Sequence, residues 1–157
     1  MNWRRIGIAL LLLSIAAVVA YKLNLAAISS VELLAESDPQ CDLRNGSCSA
    51  ALIGGGGIEF AIEPRSIPVM RPLRVSVRVS NIAVRSVAID FVGIGMEMGY
   101  NRTRLAERAA GYFEGSAILP VCVLQRMPWE ARVLLESDRG TIMAPFRFYT
   151  ERSSSAP

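Results

Sequence analysis

Two apolar patterns divide the chain. Residues 6–20, IGIALLLLSIAAVVA, form an unbroken run without a charge. From residue 58 onward, apolar and polar positions instead alternate. Residues 73–79, LRVSVRV, put apolar side chains at odd positions and polar ones at even positions. That period of two predicts a strand with one buried face and one wet face. Residues 58–62 alternate in the same way. Residues 86–91 alternate around Val87, Ile89 and Phe91, and residues 111–119 carry Tyr112, Ala117 and Leu119. Residues 130–136 carry Ala131, Val133 and Leu135. Residues 141–149 carry Ile142, Phe146 and Phe148, with Pro145 marking an edge or a bulge. Gly, Asn or Pro breaks nearly every gap. This punctuation predicts six or seven antiparallel strands over residues 58–149, an all-β sandwich. The core is expected to hold Val75, Val77, Val79, Ile89, Trp129, Val133, Leu135 and Phe146. Trp129 is expected to be buried, its indole N–H donating to a carbonyl. Only residues 101–110, NRTRLAERAA, read as a helical turn.

The N-terminal run is framed by Arg4 and Arg5 before it and Lys22 after it. Basic residues followed by an apolar run predict an export signal. Ala20 offers a cleavage site. Against cleavage, apolar residues continue through Leu23, Leu25, Ala26, Ala27 and Ile28, and Lys22 can snorkel to headgroups. The expectation is a retained transmembrane anchor over residues 1–22. It implies a single-pass protein of a bacterial inner membrane, with the C-terminal part in the periplasm. Residues 23–40 then form a juxtamembrane linker, residues 41–149 the β-sandwich domain, and residues 150–157 a disordered tail.

Charge sharpens this division. The chain has 17 basic and 14 acidic residues. Three of the basic ones are Arg4, Arg5 and Lys22, so the rest of the chain is electrically balanced. A nucleic-acid partner has no electrostatic footprint here. Every cation after Lys22 is an arginine, and the chain has no histidine. Without histidine there is no Ser-His-Asp or Cys-His catalysis, and no imidazole zinc or blue-copper site. No acid–base or nucleophile set is visible, and the chain reads as a non-enzyme.

Three cysteines, Cys41, Cys48 and Cys122, are disulfide candidates in an oxidising compartment. Asn45-Gly46 signals a tight turn between the first two. Three arrangements stay open: Cys41 with Cys48 and a spare thiol, Cys122 paired to one of them, or three thiolates around a metal. Cys122 is expected at a sandwich rim after Leu119-Pro120, in a structural staple with a spare thiol or in a redox-gated soft-metal site. It is expected within disulfide range of the loop from Cys41 to Cys48, a Cα separation of about 7 Å or less. That loop looks too polar to dock by burial alone.

Thioethers and thiolates are the ligands Cu(I) prefers. Met96, Met98 and Met127 with Cys122 form a candidate soft-metal cluster if their two loops face each other. The simpler reading places Val92, Ile94, Met96 and Met98 on one buried strand face, where methionine fills gaps. Tyr100, Arg102, Arg104 and Arg108 form a candidate partner-binding rim, set against a reading as plain solvated surface.

The Met-rich turn at Met96-Glu97-Met98-Gly99 is followed by Leu105, by Gly111-Tyr112 and an apolar strand, and finally by Met127-Pro128-Trp129. This order resembles the YtkA-like and FixH-like exported domains, over about residues 58–149 plus the anchor. The resemblance implies an immunoglobulin-like sandwich and an accessory role in assembling haem-copper cytochrome oxidases or in copper handling. A protein partner in that pathway and bound Cu(I) belong to the same implication. The chain departs from the pattern in having no histidine near the methionines, and Cys122 has no counterpart in it. The alternative is a structural or protein-interaction module of the cell envelope with no metal.

Overall fold

The computed structural model describes residues 3–28, 31–52, 55–96, 99–120, 124–138 and 140–151. Two compact units divide the chain, Met1–Ser30 and Val31–Pro157. The first is helix α1, Trp3–Ile28. Its apolar side chains, Leu10 to Leu13 among them, are exposed. Among the described residues no helix is long and apolar enough to cross a membrane. The single-pass anchor expected at residues 1–22, and the inner-membrane and periplasmic location inferred from it, are therefore corrected. The physical reason is length. Between Arg5 and Lys22 the uncharged stretch reaches about 24 Å at 1.5 Å per residue, short of a hydrocarbon core about 30 Å thick.

The second unit is all-β and almost entirely antiparallel. Its strands are β1 Val31–Leu34, β2 Glu36–Ser37, β3 Cys48–Ala51, β4 Gly57–Glu63 and β5 Pro72–Ser80. They continue with β6 Val84–Gly93, β7 Arg102–Ala109, β8 Tyr112–Ile118, β9 Arg126–Ser137 and β10 Gly140–Glu151. Seven of these, β4 to β10, cover the region where six or seven were expected. They join in one curled sheet of order β1-β10-β9-β6-β7-β8-β5-β4-β3-β2. The strand β7 belongs to both halves, pairing with β6 through Leu105 opposite Val87 and with β8 through Ala106 opposite Glu114.

The two ends of this sheet meet. Strand β1 lies parallel on β10, and β2 lies antiparallel on β3. Only Ala35, which is buried, separates β1 from β2. The chain thus steps across the seam of a nearly closed barrel within one residue. These residues fall in the stretch read from sequence as a linker, and β1 and β2 are instead parts of the sheet.

The expected core is present: Val75, Val77, Val79, Ile89, Trp129, Val133, Leu135 and Phe146 are all buried. Phe60 and Phe146 meet at 5.3 Å between ring centroids, tilted, and Phe91 meets Phe148 edge-on at 6.2 Å. Aromatic pairs at these distances prefer such tilted geometries over face-to-face stacking. Trp129 Nε1 donates to the Thr150 hydroxyl at 2.9 Å, not to a carbonyl, and both residues are buried. Residues 102–109 form a strand where a helical turn was expected. Leu105 faces inward there while its neighbours are exposed.

Candidate functional site

The Cys41–Cys48 disulfide is formed, with a Cα separation of 5.7 Å. Asn45 and Gly46 do not take positive φ. The loop turns on Asp42 instead: its carbonyl accepts from Asn45 N–H at 2.9 Å, and its carboxylate accepts from Arg44 N–H at 3.0 Å. Leu43 is buried, so this loop does dock partly by burial. Arg44 completes the docking. Its Nη2 donates to the Tyr149 carbonyl at 2.7 Å, and its Nη1 lies 3.5 Å from Glu151. Cys122 lies outside the described residues, and so does the expectation about its distance from this loop.

Of the four soft-metal candidates, Met96 and Met127 lie among the described residues. Met98 and Cys122 lie outside the described residues. Strand β6 ends at Gly93, and a turn follows with Gly95 at φ +81°. The spacing-two face expected through Met98 is thus not a strand face. Val87, Ile89 and Phe91 point inward on the other parity, and Ile94 is exposed. The turn does approach the right neighbour: Ile94 N–H donates to the Pro128 carbonyl at 3.0 Å. Met127 is nevertheless buried in the core, and Met96 packs against it. Among the described residues no group of three His, Cys, Asp or Glu side chains is placed to hold a metal.

The arginine rim splits in two. Arg102 pairs with Asp90 at 3.1 Å, and its guanidinium lies 5.3 Å from the ring of exposed Tyr100. Arg104 and Arg108 project from the outer face of β7, and Arg108 lines a concavity.

That concavity is a hollow of about 730 Å³ on the outer face of β4, β5 and β8. Arg65, Arg74 and Arg108 converge on it, with Glu63, Glu114, Gly115 and Ser116 among the other lining residues. Register explains the meeting. Glu63 lies opposite Arg74 on β5, and Arg74 lies opposite Ser116 on β8. Arg74 pairs with Glu63 at 3.6 Å, and Tyr112 Oη donates to Glu114 at 3.1 Å. Four residues further along β5, Arg78 pairs with Glu59 at 3.7 Å and lies 5.4 Å from the Tyr112 ring. Arg65 and Arg108 have no carboxylate partner among the described residues. Arg71 and Arg104 are also exposed.

Arg74 was legible as a wet-face residue from the alternation of residues 73–79. Arg65, in a turn between two strands, carried no signal that would place it beside Arg108. Arginine is suited to such a surface because its planar fork can hold a carboxylate through two parallel hydrogen bonds.

No protein-family model, no curated protein and no solved structure matches this chain.

Proposed function

We propose that the β unit is a non-enzymatic protein-interaction module that binds a carboxylate-rich segment of a partner on the outer face of β4, β5, β8 and β7. The observation that carries this reading is the hollow in which Arg65, Arg74 and Arg108 converge, two of them uncommitted. Residues 23–157 are balanced in charge overall. The hollow carries three arginines against Glu63 and Glu114, a local excess of positive charge, and such patches steer partners of opposite sign. The partner's role in an assembly pathway rests on the resemblance to FixH-like domains alone. In fold terms we read the curled sheet as an immunoglobulin-like sandwich. The pairings of β5 with β8 and of β6 with β9 support this, as does the switch of the chain from β1 on one half to β2 on the other.

The test is fluorescence anisotropy with a labelled oligo-glutamate peptide, and an oligo-lysine peptide as the control. Binding of the acidic peptide is expected, weakening as ionic strength rises toward about 0.15 M. The double variant Arg65→Ala, Arg108→Ala is expected to weaken it about tenfold. Equal binding of both peptides, or affinity unchanged in the double variant, would overturn the proposal.

A further inference from the structure

The seam of the barrel is closed at two points and open between them. At one end Ala35 N–H donates to the Met143 carbonyl at 2.9 Å, the last bond that β1 and its continuation make with β10. At the other end Arg44 holds the Tyr149 carbonyl. Between them lies a groove of about 580 Å³. One wall is the edge of β10 from Pro145 to Tyr149, and the other is the chain from Ser37 to Asp42 with the disulfide.

The main chain along that edge can be assigned by parity. In an antiparallel ladder, successive residues point their N–H and C=O groups alternately toward and away from the partner strand. Register between β9 and β10 runs unbroken from Gly140 to Glu151. The Met143 carbonyl points away from β9, toward Ala35. Residues 145, 147 and 149 therefore point the same way, into the seam. The Tyr149 carbonyl agrees, since Arg44 reaches it from that side. The Pro145 carbonyl, both Arg147 main-chain groups and the Tyr149 N–H have no main-chain partner among the described residues. Pro145 sits just past the point where β1 leaves, the one kind of strand position that tolerates a missing N–H.

We infer that this groove is a strand-addition site for an extended segment of a partner polypeptide, which continues along β10 the ladder that β1 begins. Main-chain pairing to an open edge supplies affinity in such sites. The occupant is set by what the edge offers: an alternating row of donors and acceptors matches a peptide backbone. Two features pre-organise the groove. Phe146 and Phe148 anchor β10 in the core, and the Cys41–Cys48 disulfide fixes the opposite wall. This site is separate from the arginine hollow and does not depend on it.

The test uses a phage-displayed library of random short peptides selected on the intact oxidised protein. Selected peptides are expected to slow hydrogen exchange at the Arg147 and Tyr149 amides. Arg147→Pro removes the seam-facing donor, together with the side-chain pair to Glu130 that Arg147→Ala also removes, and leaves the β9 main-chain ladder intact; it is expected to weaken these peptides about tenfold or more. Arg147→Ala keeps the main-chain donor and is expected to bind within about twofold of the parent, a cost of roughly 0.4 kcal/mol or less. A circular dichroism spectrum matching the parent's shows that the proline variant is folded; if it is not, exchange protection at the two amides in the parent decides alone. Recovery of no peptide, protection elsewhere only, or binding that survives Arg147→Pro in a folded variant overturns the inference.

Discussion

Thr150 and Trp129 form a polar contact inside an apolar core. The indole N–H is buried, and the Thr150 hydroxyl is its acceptor. Removing that acceptor while keeping the side-chain shape leaves a buried donor unmade, a loss of about 1–3 kcal/mol. Thr150→Val is expected to lower the unfolding free energy from urea titration by that amount, whereas Thr150→Ser is expected to retain most of the stability. Gly111 is constrained by its backbone. It takes φ +70°, and a Cβ there would sit 2.6 Å from the Val79 carbonyl oxygen. Its own carbonyl accepts from Val79 N–H at 2.8 Å, so the residue cannot simply swing away. Gly111→Ala is expected to cost about 1–3 kcal/mol in left-handed strain, plus the clash, measured by thermal unfolding. Of these two residues, Trp129 was legible as core from its aromatic bulk. Its partner was not, because nothing local to Thr150 marks it as lying opposite a residue 21 positions earlier.

Single strands show why some elements could be read and others could not. Strand β5 was plain from residues 73–79, since its whole pattern is set by one buried face and one wet face. Strand β7 was misread because Ala, Arg, Glu and Leu favour helix in isolation. Its pairing on both sides, to β6 and to β8, overrides that preference. Strands β1 and β2 are four and two residues long, too short for any periodicity to show. The loop between Cys41 and Cys48 was read as a turn too polar to dock by burial alone; its anchors, Leu43 and Arg44, could not be named because they work against distant residues. Closing so short a loop stabilises the fold by about 2–3 kcal/mol in the chain-entropy treatment. The double variant Cys41→Ser, Cys48→Ser is expected to lose about that much in urea titration. A loss under about 1 kcal/mol would mean that Arg44 and Leu43 hold the loop unaided.

The β unit is a curled sheet whose ends are tied by the segment from Val31 to Ser37. Without that segment, β3 and β10 become long unpaired edges, and such edges associate. A fragment beginning at residue 38 is expected to show concentration-dependent association by sedimentation velocity, and the chain from residue 31 is expected to remain monomeric. A monomeric fragment would show that the seam shields nothing. Closure of this kind was not legible in the sequence. It depends on two edges arriving side by side, and no pattern within either edge reports on the other. The arginine hollow escaped for the same reason: Arg65 and Arg108 are far apart in sequence, and sheet register joins them.

The direction in which β1 runs has a mechanical consequence. It lies parallel to β10 and enters the sheet at the end where β10 begins. A tension applied between residue 31 and residue 151 pulls the two strands along their length in opposite senses. Their hydrogen bonds are then sheared together rather than peeled apart one after another, and the seam resists stretching until all of them give way at once.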